Sequence, residues 1–557
     1  MHTGKHYPVL VVGGGIVGLT ASLALSHHGV PSLLVEAHPG THDHPRARSL
    51  NARAMEIYRE LGVADAVREA GAPLARAEGL HRGSDLATAL ADVPRRPDPG
   101  DRPESIFAPA AMARWSPTTG RRATLDAVEP VLLAAARRRP AEIRFGTLRT
   151  GLRHGDDHLT VDLTDVATGV TETVTADYLI AADGAGGALR HELGVSSTYG
   201  TSHGHQLNIL FRADLEQFVR GREFSVVLIA RAGVRGMLTA IDARTRWAFH
   251  LRYDPAVESP ADYPPERCEQ ILRDVLGVPG AEPEVVSVLS WEARERTLDR
   301  LRAGRVFFAG DAAHQMPPAG ARGASTGIAD VHNLVWKLGA VLGGRADETL
   351  LDTYQDERHP AAVHAVAASG ANARAMTPGS SSPDPDWTTP AAHGLGDRYR
   401  SAAVLSDTGD PTDPVADDLD GGPGTRLPHA WTDPARSRST LDLPAGDWIL
   451  LGPPAWRLPA DTAGLRHADP GPEFAALAGT ATGGAVLVRP DGHIAWRSTE
   501  PTSTDPTTTG PTTTGRTTTG PEDPAAALDA ALRRLPFRAR HSTHRRTPGP
   551  TDPAIHP

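Results

Sequence analysis

Between Tyr7 and Glu36 the chain carries a run of pieces that few folds can use together. Tyr7-Pro8-Val9-Leu10-Val11-Val12 is short, apolar and rich in β-branched residues, as a buried parallel strand should be. Gly13-Gly14-Gly15-Ile16-Val17-Gly18 follows at once and fits G-x-G-x-x-G. The next residues, Leu19-Thr20-Ala21-Ser22-Leu23-Ala24-Leu25, predict a helix that stops at Gly29. Pro31-Ser32-Leu33-Leu34-Val35-Glu36 then reads as a second strand ending in a carboxylate. This is the first βαβ unit of a doubly wound α/β sheet. Gly13 permits the tight turn, Gly15 lets the backbone approach a pyrophosphate, and Gly18 lets helix and strand pack closely. Free amides and the positive dipole end of the helix face the phosphates, and Glu36 is placed for ribose hydroxyls. The unit predicts a dinucleotide without saying which.

Two further segments break from an apolar strand into glycine and aspartate. They are Tyr178-Leu179-Ile180-Ala181-Ala182-Asp183-Gly184 and Gly304-Arg305-Val306-Phe307-Phe308-Ala309-Gly310-Asp311. An acid at the C-terminal end of a strand sits where such sheets bind ligands, although each segment alone is also compatible with a simple turn. No other G-x-G-x-x-G follows a strand.

The rest of the chain narrows the class. At 557 residues it exceeds one hydrophobic core, and a formal charge of −10 argues against nucleic acid as a partner. Cys268 is the only cysteine, so there is neither an intrachain disulfide nor a cysteine metal site, and it reads as a buried structural thiol at a helix start. No apolar run is long enough for a membrane span and no signal-peptide pattern opens the chain, so a cytoplasmic protein with no membrane partner is expected.

The three motifs, in this order, resemble the single-component FAD aromatic hydroxylases, the p-hydroxybenzoate and phenol hydroxylase superfamily. Gly304 to Leu338 is similar to its polyketide-tailoring, tetracenomycin-type branch, which serves antibiotic biosynthesis. The resemblance implies that Asp311 binds the FAD ribityl chain and that Asp183 serves FAD and NADPH. In Pro317-Pro318-Ala319-Gly320-Ala321-Arg322-Gly323-Ala324-Ser325-Thr326, the small residues Gly320, Gly323, Ala324 and Ser325 would admit a flat ring. The helix that follows buries Ile328, Val331, Leu334, Val335 and Leu338, and its first amides would face the flavin N1 and C2 carbonyl. Arg46 is the arginine expected near flavin and pyrophosphate, and for Arg48 surface solvation is an equally good explanation. Departures are Gly187 where a serine is common, Ser325 where an asparagine is frequent, and no glutamine before the helix expected to begin near Glu129.

The resemblance further implies NADPH (or NADH) bound transiently without a Rossmann domain of its own, and O2 added to form a C4a-hydroperoxide that hydroxylates a small aromatic, polycyclic substrate. No catalytic side chain and no metal site are assigned. His314 is tempting as a base but is expected to be structural. Phe308-x-Gly310-x-x-x-His314 matches half of a Baeyer–Villiger fingerprint, with Pro318 in place of its tryptophan. Epoxidation or Baeyer–Villiger oxidation by the same flavin chemistry, and an FAD-binding protein without turnover, are the alternatives.

The expected architecture is a Rossmann-like FAD-binding domain, discontinuous over 1–195 and 286–375, with a β-sheet substrate domain inserted at 196–285 together with part of 75–120. Phe224, Met237, Trp247 and Phe249 are weighed as pocket-lining residues there against a role in the core. A Pro/Asp/Ser-rich linker (376–424) leads to a thioredoxin-like domain (425–498) that lacks redox cysteines and is assigned a structural or homodimer-forming role. Residues 499–557 form a low-complexity tail with Thr-Thr-Thr-Gly repeats, a short helix from Pro524 to Leu535 and a solvated basic end.

Overall fold

The computed structural model describes residues 4–74, 79–96, 110–376, 386–406, 412–456, 458, 464–480, 483–498 and 524–536. The threonine repeats and most of the basic end lie outside the described residues.

In chain order the strands are β1 (His6–Val12), β2 (Ser32–Glu36), β3 (Leu80–Gly83), β4 (Ala141–Phe145), β5 (Thr147–His154), β6 (Leu159–Asp165) and β7 (Thr171–Ala181). They continue as β8 (Ser197–Arg212), β9 (Val226–Arg231), β10 (Val234–Ala240), β11 (Arg246–Tyr253), β12 (Glu284–Leu298), β13 (Arg302–Ala303), β14 (Val306–Phe308) and β15 (His314–Gln315). The last four are β16 (Trp448–Leu451), β17 (Leu465–Ala468), β18 (Ala485–Val488) and β19 (Ile494–Ser498). The principal helices are α1 (Ile16–His27), α2 (Ala52–Glu60), α3 (Leu125–Arg137), α4 (Pro265–Leu276), α5 (Gly323–Leu342), α6 (Thr353–Ala375) and α7 (Pro524–Arg534).

Three sheets result among the described residues. The first runs β13-β14-β7-β1-β2-β4, with the β5–β6 hairpin attached at β7. Its central strands pair in parallel, with Val9 beside Ser32 and Tyr178, and Phe307 beside Ile180. Val9, Leu10 and Val11 are buried on both faces, which is why β1 is apolar without alternation. Helix α1 stops where the glycine signal placed it, with Gly29 in the left-handed region at φ 69°.

The second sheet runs β15-β12-β8-β11-β10-β9-β3, and β3 pairs in parallel with β9. Its alternation sorts two faces. Ile209, Phe211, Leu238, Trp247 and Phe249 join Phe224, Cys268 and Leu272 in one buried core against α4. The other face carries Asn208, Met237 and His250, which are cross-strand partners. Phe224, Trp247 and Phe249 are therefore core residues, and only Met237 of the weighed set faces away from that core. Cys268 is buried, with its thiol on the Tyr263 carbonyl at 3.5 Å, as a structural thiol.

The third sheet, β17-β16-β18-β19, is small and mixed. One face packs on Trp336 of α5, and Leu528 and Ala531 of α7 share that cluster. Helix α3 begins at Leu125, four residues before the expected start near Glu129, and carries Pro130 in its second turn, where the ring removes one helical hydrogen bond.

Candidate functional site

Strand order places the three motifs side by side. Gly13 ends β1, Asp183 follows β7, Gly310 and Asp311 follow β14, and Glu36 closes β2, so four adjacent parallel strands deliver their C-terminal ends to one edge. Gly13 lies at φ 111°, and a Cβ there would stand 2.2 Å from the Ala182 carbonyl oxygen. A Cβ on Gly18 would stand 1.9 Å from the Gly13 oxygen. No side chain fits either position, so the turn can hold its shape only with glycine. At Gly15 the nearest atom to such a Cβ is a Glu129 oxygen at 3.6 Å, which leaves that backbone open to a ligand.

Glu129 is a site residue that the sequence reading passed over. It is buried on α3, accepts the Ile16 amide at 3.1 Å and the His42 amide at 3.2 Å, and so pins the first turn of α1. Glu36 accepts the Gly14 amide at 2.6 Å and the His38 amide at 2.9 Å. Burial alone would push its carboxyl up, but these amides and the His38 ring hold it below the ordinary value. The charged form is therefore favoured, with the carboxylate fixed at the end of β2.

Asp183 and Asp311 behave differently. Burial raises the Asp183 carboxyl, which accepts the Leu189 amide only at a long 3.4 Å. Asp311 opens to the cleft, yet protein surrounds it closely enough that burial raises its carboxyl too, opposed by His314, Arg46 and Arg296. Both are acceptors with spare capacity. Gly187 is explained here as well, since a Cβ at that position would overlap the Asp183 carboxylate at 2.2–2.4 Å. Arg46 is exposed and favours the charged form of Asp311. Arg48 is a correction. Far from being solvated, it reaches across to the second sheet, donating to the Ser225 carbonyl at 3.2 Å and the Ala240 carbonyl at 3.4 Å.

The loop before α5 contains Gly320 at φ 99° and Ala321 at φ 52°, so a non-glycine residue is held left-handed beside the helix start. α5 begins at Gly323, and Thr326 is the first residue bonded back, to Arg322. The amides of Gly323, Ala324 and Ser325 thus have no partner within the helix. Ser325 is buried, and its hydroxyl accepts the Asn51 amide at 3.1 Å, tying the 46–51 segment to this loop. A Cβ on Gly327 would meet Gly310 Cα at 2.8 Å, so α5 lies directly on the Gly-Asp turn. Behind it, Asp330 accepts the Gly310 amide at 3.1 Å, His314 Nε2 at 2.7 Å and Arg358 Nε at 2.9 Å. His314 is fully buried in this pairing and holds the turn; it is not a base facing substrate.

These features put on one cleft a glycine turn at a helix N-terminus, three strand-end carboxylates and three amides without a partner in their helix, the arrangement of a dinucleotide-binding site. The chain belongs to the FAD-dependent aromatic-ring hydroxylases. The FAD binding domain family matches residues 6–369, and the aromatic-ring hydroxylase C-terminal family matches 420–534. It is 35% identical to tetracenomycin A2 monooxygenase-dioxygenase of Streptomyces glaucescens, covering 95% of this chain and 97% of that one. It is 36% identical to aklavinone 12-hydroxylase DnrF of Streptomyces peucetius subsp. caesius, covering 80% and 92%. Among solved structures, aklavinone-11 hydroxylase in complex with FAD and aklavinone superposes with a TM-score of 0.80 at 31% identity, covering 96% of this chain and all of that one. The protein is an FAD-dependent aromatic monooxygenase that consumes NAD(P)H and O2. Among the described residues no helix is long and apolar enough to cross a membrane, and no His/Cys/Asp/Glu group could hold a metal.

Proposed function

We propose that this enzyme hydroxylates a polycyclic aromatic substrate of polyketide type, using NADPH, in the space between the cofactor cleft and the Asn208/Met237/His250 face of the second sheet. The observation that carries this reading is the convergence of the cleft and that sheet on the 44–51 segment, which bonds to α5 through Asn51 and to the sheet through Arg48. The names of the relatives, which act on tetracenomycin and aklavinone, support the substrate class.

Gly13, Gly15 and Gly18 admit the pyrophosphate, Glu36 holds the ribose, Asp311 holds the ribityl chain, Asp183 borders it, and Arg46 offsets phosphate charge. The amides of Gly323, Ala324 and Ser325, with Gly320 before them, face the pyrimidine end of the flavin and stabilise negative charge there. When bound, FAD takes a hydride from NADPH and activates dioxygen. The protein's part is to place the substrate ring over the flavin and to keep water out, so that reduced oxygen is not shed. The buried Asn208 and His250 supply the polar contacts that orient the ring.

The test is NADPH consumption by FAD-loaded enzyme in air, with polycyclic hydroxyquinones compared with monocyclic phenols. Acceleration by the polycyclic compounds, with little peroxide, is expected. Acceleration by monocyclic phenols alone, or by no compound, contradicts the proposal.

A further inference from the structure

Among the described residues most buried charges are paired, but some are not, and two of these, Arg48 and Arg122, lie together. Arg122 is buried, and among the described residues its side chain makes one bond, a 3.5 Å contact from Nη1 to the Ser225 hydroxyl. Its Nε has no partner. Arg48 donates only to the Ser225 and Ala240 carbonyls. Among the described residues no carboxylate pairs with either guanidinium; burial is the main influence on both, and Arg122 further disfavours charge on Arg48. Burial lowers Arg48 to about 9 and Arg122 to about 10. Arginine does not give up its proton at neutral pH, so these are two adjacent, uncompensated cations.

Their surroundings are polar and also incomplete. His250, the cross-strand partner of Asn208 on the side of the sheet facing away from the α4 core, is held neutral at about 3 by burial, Arg48 and His44. His250 Nδ1 and Asn208 Oδ1 are buried without a hydrogen-bond partner, and Trp291 Nε1 nearby is likewise unpaired. A folded protein seldom buries so many unmet groups together unless a ligand completes them.

We infer that this cluster of unpaired groups is the docking site for an anionic oxygen of the aromatic substrate, a carboxylate or an ionised phenol or enol, held between Arg48 and Arg122, with Asn208 and His250 taking neighbouring hydroxyls. The inference rests on the proposed function and sharpens its substrate class. The cofactor's phosphates are a poorer fit, because it is Arg46 that bears on Asp311 in the cofactor cleft, whereas Arg48 is bonded to the sheet. An anion paired with both guanidiniums gains charge-assisted hydrogen bonds that a neutral isostere cannot make.

The experiment titrates the FAD-loaded, full-length enzyme with two pairs of probes, following the bound-flavin absorbance. The pairs are hydroxynaphthoate with its methyl ester, and lawsone with its methyl ether. At least one anion should bind roughly 10- to 100-fold more tightly than its neutral partner. Preference within the first pair identifies a carboxylate, and preference confined to the second identifies an ionised enol. Arg48→Met and Arg122→Met should each erase the preference while leaving the neutral compound's affinity within about threefold, and Arg48→Lys should restore part of it. Equal affinity within both pairs in the wild-type enzyme overturns the inference without needing any variant. So does a preference that survives both methionine substitutions, or loss of FAD from Arg48→Met with the preference intact. If no probe binds while neutral polycyclic quinones still accelerate NADPH oxidation, this inference fails and the monooxygenase reading stands. If nothing accelerates it, the reading beneath has failed first.

Discussion

Two of the buried clusters of charge in this molecule are built on opposite plans. Between α5, α6 and the third sheet, Glu357 accepts Lys337 Nζ at 2.7 Å, Arg489 at 2.6 and 2.8 Å and the Ser401 hydroxyl at 2.6 Å, while Asp491 also pairs with Arg489. Every cation there has an anion. At the seam between cofactor cleft and second sheet, Arg48 and Arg122 have none among the described residues. Complete pairing marks a cluster that holds the architecture together. A cluster missing its counter-charge is shaped for something that arrives later.

The sharpest way to break this contrast is to remove one partner from each cluster. Glu357→Leu strands the buried Lys337 and leaves Arg489 with Asp491 alone, and we expect it to cost about 3–5 kcal/mol, read as a fall in the denaturation midpoint of the FAD-loaded enzyme. A change below about 1 kcal/mol would mean the network is not structural.

Acid sharpens the same distinction. Despite burial, Arg489 and Lys337 hold the Glu357 carboxyl well below its ordinary value of 4.5. A depressed carboxyl contributes stability that is complete above the ordinary glutamate value and is lost as pH falls below it. Unfolding followed by tryptophan fluorescence should therefore show stability falling below about pH 4.5, and Glu357→Gln should flatten that fall. An unchanged slope in the variant would contradict the assignment.

The smallest effect is expected at the seam. Arg48→Met removes an uncompensated charge and keeps the alkyl stem, so the midpoint should move by less than about 1 kcal/mol, in either direction. A loss as large as that of Glu357→Leu would show that Arg48 is structural after all.

The two regions also differ in how far the sequence disclosed them. The cofactor cleft was legible because its parts are local. Gly13 to Glu36, the Asp183 turn, the Asp311 turn and the Gly320–Ser325 loop each carry their signal within a few residues, and the sheet then brings them to one edge. The helix over 323–342 was legible from its apolar period, but its second buried stripe, Asp330, Asn333 and Lys337, was not. Those positions pair with Glu357, Arg358 and the turn between β18 and β19, as in the Asn333–Asp491 bond across 158 positions. Glu129 was missed for the same reason, since its amide partner Ile16 lies 113 residues away. Arg48 was misplaced at the surface because an arginine in a polar segment gives no sign that strands 177 residues later will cover it. Short-range chemistry is written in spacing, whereas a pocket wall exists only once two distant segments meet.

The most direct measurement of the central claim is oxygen incorporation under labelled dioxygen. The FAD-loaded enzyme would be run with NADPH, labelled O2 and a polycyclic hydroxyquinone that accelerates NADPH oxidation, with product and peroxide measured together. One labelled oxygen atom in a product one oxygen heavier, with NADPH consumed in near-equal amount, is the predicted result. NADPH consumption that ends only in peroxide, with the ring unchanged, would contradict it.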